Sequence, residues 1–443
     1  MAKADFNVQG GRILYRGGLI EAGIAVQDGK IVKVAKSANL PKVGETVNAK
    51  GLIILPGVID VHVHVRDMGQ KTKEDWTTAS HAAAAGGITT ILAMPNTSPP
   101  ITTARALKQY KTIARKKSVV DYGVFIGATE TNMRELTTSE SCGIKLAMGS
   151  TTGNLLVEKT EKMRSILETS VKAEKTVVVH AEDEEMIKKR FLAVKKKGKE
   201  PPPKIHSVIR DPEAARITVS RAIKLSKQTN AKIHIAHVST RGELIEIVNA
   251  KKDGLPVSCE VTPHHLFLSE KDYDSKSNRL KVNPPVRSRS DVSAAWGALL
   301  EGIIDCVATD HAPHLLDDKE QDYWSAPSGL PGLETMVPLM LDSVNKSMLS
   351  LAHVADLVCT NPAKIFRLKN KGLIEEGFDA DLTFVDLKQE WKIRGDDFKT
   401  RCGWTPFEGR IVSGKPVKTM IRGTIVFEDG DVVGGRGREV QFK

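Results

Sequence analysis

The sequence predicts an α/β protein, a (β/α)8 barrel flanked by a β-sandwich domain built from both chain ends. Three observations carry this. Eight short apolar runs alternate with helix-patterned segments between residues 58 and 311. Near-continuous apolar strands separated by helices belong to a parallel sheet covered on both faces, and eight such units is the number that closes a barrel. The polar residues of these runs gather near their C-terminal ends, the rim on which barrel enzymes carry their chemistry. Both chain ends show hairpin-like alternation with Gly and Asp-Gly turns instead.

Taken in order, "GGRILYRGGLIEAGIAVQDGKIVKVAKS" reads as N-terminal hairpins. The barrel then opens with "VIDVHVH" (58–64) and the helix-patterned "KEDWTTASHAAAAGG". "TTILAMP" (89–95) and the helix "ARALKQYKTIARKK" follow, then "DYGVFIGA" (121–128), "GIKLAM" (143–148) and the helix "EKMRSILETSVKAEK". "TVVVHA" (176–181) leads into the helix-patterned "DPEAARITVSRAIKLSKQ". "KIHIAHVS" (232–239), "VSCEVTP" (257–263) and "DCVATDH" (305–311) complete the eight, and "GTIVFEDGDVV" is the C-terminal hairpin. We expect residues 55–371 to be the barrel, with 1–54 and 372–443 combining as the sandwich.

The chain has 443 residues, 40% hydrophobic and 27% charged, which is ordinary globular composition. Its net charge of +11 is concentrated. Residues 188–204, "KKRFLAVKKKGKEPPPK", hold eight lysines and arginines against one glutamate, as expected of a helix end running into a solvated Pro-rich loop. With aromatics at 5%, a nucleic-acid partner is not expected. No apolar run is long enough to span a bilayer, and "MAKADFNVQGG" lacks a secretory pattern, so no membrane partner is expected either. Five cysteines without a CxxC fit reduced thiols, and cytoplasmic localisation is the expectation.

In a strand, His62 and His64 share a face, with Asp60 beside them. An isolated HxH more often marks two core histidines, so other ligands must converge before a metal is believed. His180, His237 and Asp310 sit at the ends of other strands and supply them. His237 shares a face with Ile233 and Ile235 and lies nearer its strand's end than His234, which is read as packed. Lys145, inside the fourth strand, is costly there unless paired or neutral, and a neutral amine can take up carbon dioxide to form a carbamate. His81, His206 and His353 read as surface or capping groups, Cys259 and Cys306 as core, and "GGRGRE" as a polar loop. The segment Leu315 to Gly332 follows the eighth strand and ends in Gly and Pro, as a closing lid would.

The motifs "GLIILPGVIDVHVH", "AMPNTSPP", "GIKLAMGSTTGN", "VVVHAED", "HIAHVST", "EVTPHHLFL", "KVNPPVRS", "ATDHAPH" and "TPFEGR" together resemble the cyclic amidohydrolases and, within them, the dihydroorotase family, over nearly the whole chain. The resemblance implies a zinc-dependent hydrolase of cyclic amides acting on a small-molecule substrate. It would interconvert N-carbamoyl-L-aspartate with L-dihydroorotate in pyrimidine biosynthesis. It also implies two zinc ions per chain: His62, His64 and Asp310 on one, His180 and His237 on the other, carbamylated Lys145 and a hydroxide bridging. Asp310 would be the catalytic proton carrier. Arg66, Asn96 and His314 would bind the substrate carboxylate, with Asn283 and the backbone near Ser328 and Gly329 holding the ring. Allantoinases, hydantoinases and dihydropyrimidinases share the metal ligands but usually lack the Arg after HxH and the "APH" after the catalytic Asp. They remain the alternative, beside a silent scaffold subunit. A homodimer and association with aspartate transcarbamoylase are both left open. Met68 departs from the family, which often has Pro, Gly or another small residue there.

Overall fold

The computed structural model describes residues 3–150 and 155–442. Its barrel strands are β1 (Val58–Val63), β2 (Ile88–Ala93), β3 (Asp121–Val124), β4 (Ile144–Ala147), β5 (Val177–His180), β6 (Ile233–Ile235), β7 (Val257–Val261) and β8 (Cys306–Val307). Successive strands pair in parallel, a two-residue strand, Ile126–Gly127, carrying β3 across to β4. The seam closes through a parallel bridge between Val63 and His311, where the His64 amide donates to the His311 carbonyl at 2.8 Å.

Helices cover this sheet, and local chemistry sets their ends. Ala104–Lys117 starts at Thr103, whose side chain accepts from the Ala106 amide, and finishes with Arg115, Lys116 and Lys117 at the negative end of its dipole. Pro212–Thr229 has Asp211 as cap, Pro at its first position and Asn230 in the left-handed conformation (φ 58°) at its end. Arg241–Lys252 opens with a reciprocal Thr240–Glu243 capping box. The basic stretch is the end of Glu184–Lys195 and the loop that follows.

Two strands fall furthest short of their apolar runs. β6 covers three residues of 232–239 and β8 two of 305–311. The cause lies just beyond each strand: His237 (φ 38°) and Asp310 (φ 46°) take left-handed backbone, which a pleated strand cannot continue through. Ile233 and Ile235 pack in the layer shared with the helices. Strand alternation therefore is not what places His237; the break in alternation is.

The chain ends build two sheets. One orders Lys30–Ala35, Gly23–Gln27, Phe6–Gln9 and Glu45–Asn48. The other has seven strands, in which Ile53–Pro56 pairs antiparallel with Leu382–Lys392, so the two ends share one sheet. Val8, Ile13, Ile24, Ile54, Leu382, Phe384 and Met420 form one buried cluster that joins them. At the barrel's lower face, opposite the strand C-termini, Lys371 is buried among carboxylates from both parts. Its Nζ lies 2.6 Å from Asp121 at the start of β3 and 2.5 and 2.9 Å from Asp381 and Asp379. Arg422 also pairs with Asp121.

Candidate active site

A pocket opens at the C-terminal rim of the barrel, where such folds carry their chemistry. Its walls include His62, His64, Asn96, Lys145, His180, His237, Asn283, Asp310, Ser328 and Gly329. Most of the residues singled out from sequence thus converge from across the barrel. Asp60 does not line the cavity. In the pairing of β1 with β2 the register passes from Asp60–Ile91 to Val63–Ala93, so β1 carries an extra residue where the histidines begin. Such a bulge re-aims side chains. Asp60 accepts from the Thr309 hydroxyl at 2.5 Å, while the rings of His62 and His64 stay 5.3 Å apart, facing the same space.

One donor atom from each of His62, His237 and Asp310 lies within 4.8 Å of the others. His64 Nε2 is 2.9 Å from Asp310 Oδ1, and His180 Nδ1 is 3.0 Å from His237 Nε2. Nδ1 of His237 is buried without a partner among the described residues. Burial works against the Asp310 charge, but the imidazoles of His62, His64 and His237 outweigh it and hold the carboxyl well below its usual range. Burial lowers the Lys145 amine to about 8, against the pull of Glu260 and Asp310, which brings a neutral amine within reach at neutral pH. Four imidazoles, a carboxylate kept charged and an orphaned ring nitrogen in one cavity are a donor set that fits a metal centre.

Side chains not singled out from sequence hold these groups. Glu260 on β7 bonds Nδ1 of His62, accepts from the His237 amide at 3.2 Å, and lies 3.1 Å from His234 Nε2. Glu182 lies 3.0 Å from His180 Nε2 and is itself gripped by Arg210, 2.5 Å away. Asn96, which the sequence did single out, also bonds His64 Nδ1. The signal for Glu260 and Glu182 was there to read, as carboxylates inside or directly after apolar strands are rarely buried without a partner. No local signal marked Arg210, which comes from another segment.

Arg66 and His314 lie behind the cavity wall. Arg66 is 2% exposed and holds left-handed backbone (φ 65°), as does Met68 (φ 64°). Burial draws the Arg66 guanidinium down only to about 10, so it stays charged at neutral pH. Its Nη2 is 3.3 Å from His314 Nε2, whereas Nε and Nη1 are buried with no partner among the described residues. Gly329 takes φ 134°, and a Cβ there would lie 2.4 Å from the Ala312 carbonyl.

Two expectations are corrected. The segment 315–332 is not a loose lid. Lys319 Nζ donates to the carbonyls of Lys281 and Pro327, each at 2.8 Å, and Lys281 Nζ to those of Tyr323 and Ala326 at 2.6 and 2.7 Å, so two buried lysines tie it down. His206 is no surface group. It is 5% exposed and bonds Tyr323 Oη at 3.0 Å and Asn283 Oδ1 at 2.8 Å. Residues 151–154 of "GIKLAMGSTTGN" lie outside the described residues.

Burial, aided by Arg210 and Lys281, depresses the His206 pKa to about 3. The unfolded chain then takes up a proton below about 6.5 that the folded chain refuses, so this stability is present above that pH and is lost as pH falls toward the folded value. Between pH 7 and pH 5 His206 alone should cost about 2 kcal/mol by this linkage. Urea melts of wild type and His206→Gln at both pH values check it, and the variant's pH dependence should be smaller by that amount.

Comparison with known proteins gives the class first. Residues 53–426 match the model of the amidohydrolase family. The chain belongs to that family. Its curated relatives include the dihydroorotase of Pyrococcus abyssi, 42% identical and covering 96% of this chain and 95% of that protein. The dihydroorotase of Methanosarcina acetivorans is 38% identical over 98% of this chain and 94% of its own length. Among solved structures, the L-hydantoinase (dihydropyrimidinase) of Arthrobacter aurescens superposes with a TM-score of 0.95 at 32% identity, covering 99% of this chain and 100% of that one.

Proposed function

We infer that this chain is a dihydroorotase, interconverting N-carbamoyl-L-aspartate with L-dihydroorotate and water in pyrimidine biosynthesis. The dihydroorotase relatives at about 40% identity over nearly the full length support the class. The observation that selects the substrate is Arg66, a buried charged guanidinium with two unpartnered nitrogens beside the candidate metal donors. Such a group calls for an anion. Dihydroorotate carries a carboxylate on its ring, whereas hydantoin and dihydrouracil carry none.

The cofactor we propose is a pair of zinc ions. His62, His64 and Asp310 would hold one, His180 and His237 the other, with Lys145 as its carbamate between them. When bound, such ions supply an activated water and polarise the amide carbonyl. The chain's own residues do the rest. In hydrolysis Asp310 takes the proton of the attacking water on its carboxylate and hands it to the departing ring nitrogen, and in synthesis the transfers reverse. Arg66, Asn96 and His314 hold the substrate carboxylate, while Asn283 and the backbone of Ser328 and Gly329 hold the ring. The five cysteines are all free and buried, which supports the cytoplasm as location. A homodimer and association with aspartate transcarbamoylase belong to the same proposal.

A second reading, hydantoinase or dihydropyrimidinase, draws on the structural likeness to the Arthrobacter enzyme. Zinc-supplemented assays of dihydroorotate beside dihydrouracil, hydantoin and allantoin separate the two. Dihydroorotate should be turned over fastest. Arg66→Gln should lower its kcat/KM roughly tenfold to a few hundredfold, the equivalent of losing a charged hydrogen bond of about 1.5–3 kcal/mol. Equal losses on dihydrouracil, or a native preference for it, would favour the second reading.

A further inference from the structure

His314 has both ring nitrogens engaged. Lys73 Nζ lies 3.1 Å from Nδ1, and an ammonium only donates, so Nδ1 accepts and the ring proton resides on Nε2. Nε2 faces the Ser328 carbonyl at 3.1 Å and can donate to it. Arg66 Nη2 approaches the same Nε2 to 3.3 Å, yet it too is only a donor. Donor therefore confronts donor, and Arg66 Nε and Nη1 also lack acceptors. A buried group of this kind is completed by an anion that accepts from both sides.

We propose that Lys73 is a positioning residue for the substrate carboxylate: it fixes His314 as the Nε2–H tautomer, whose one ring proton, shared with the Ser328 carbonyl, faces the same anion as the unpartnered Arg66 nitrogens. Lys73 also adds a second positive charge behind that anion. Burial and the charges of Arg66, Lys73 and Lys319 keep the His314 ring neutral, in keeping with a single tautomer set by Lys73. Lys73 lies in the loop between β1 and the helix Trp76–Ala85, half-buried and off the cavity wall, so inspection of cavity-lining residues alone passes over it. The proposal rests on the dihydroorotase reading, since a substrate without a carboxylate gives Lys73 nothing to organise.

The test compares zinc-loaded wild type, Lys73→Met and Lys73→Arg. It measures KM and kcat for dihydroorotate, the inhibition constant of carboxylate-free dihydrouracil, and melting temperature. Lys73→Met should raise the dihydroorotate KM roughly three- to tenfold, as loss of one neutral-range hydrogen bond implies, with kcat within about twofold. Lys73→Arg should recover most of that loss, and the dihydrouracil constant should not follow. A KM unchanged in Lys73→Met, or a rise shared equally by dihydrouracil, would overturn the proposal and leave Lys73 as a loop brace. Wild type with no preference for dihydroorotate over dihydrouracil would overturn the underlying reading and this proposal with it. A failure confined to the variants overturns only the role of Lys73.

Discussion

Asp310→Asn should lower turnover of dihydroorotate by about 10²- to 10⁴-fold, the range typical of losing a positioned acid–base group. The carboxylate is 5% exposed, 2.9 Å from His64 Nε2 and 3.4 Å from His62 Nε2, on left-handed backbone that aims it across the cavity. Its surrounding imidazoles keep it in the charged form that accepts a proton. The amide has the same shape but cannot take that proton. Because Asp310 also stands in the proposed metal set, metal content must be measured alongside. The variant assayed with excess zinc should remain impaired even where metal analysis finds close to the two ions per chain proposed for wild type. A variant keeping a tenth or more of wild-type turnover would mean that a different group carries the proton. His64 is the nearest titratable candidate.

Lys371→Met should destabilise the fold by about 3–5 kcal/mol, the cost of removing one partner from a buried ion cluster. Burial disfavours the Lys371 charge, but Asp381, Asp121 and Asp379 outweigh it and raise the amine above its ordinary value. Methionine fills similar space while leaving Asp121 with Arg422 and Asp381 with little beyond the Arg422 amide at 2.8 Å. The cluster sits at the barrel face opposite the rim that carries the chemistry. Urea melts should therefore show a lower midpoint, while KM for dihydroorotate in the folded range stays at the wild-type value. A loss below about 1 kcal/mol would place Lys371 among ordinary exposed pairs and remove it as the clamp between barrel and sandwich.

How much of this was legible in the chain differs from residue to residue. Eight apolar runs separated by helical segments point to a closed parallel sheet because a parallel sheet covered by helices buries both strand faces and eight such units close it. The helix Ala104–Lys117 coincides with the segment "ARALKQYKTIARKK" because Thr103 and its basic last turn are local signals. His62, His64, His180, His237 and Asp310 were readable because strand ends in a barrel share one rim, wherever they fall in the chain. Strict strand alternation misplaces two residues, Asp60 and His237. A bulge turns Asp60 toward Thr309, and left-handed backbone rather than shared facing delivers His237.

Local patterning thus determined the fold class, the family motifs and the rim on which the site is built, since propensity, caps and periodicity act over a few residues. Tertiary structure alone decided the rest. Glu260 reaches across from β7 to His62, Arg210 braces Glu182, His206 is buried against Tyr323 and Asn283, two lysines hold 315–332 shut, and Lys73 meets His314 from 241 positions away. These are pairings of buried polar groups, and each exists because a charge or donor taken out of water must find its complement wherever the chain has brought one within hydrogen-bond reach. That distance is a property of the closed barrel, and no window of neighbouring residues contains it.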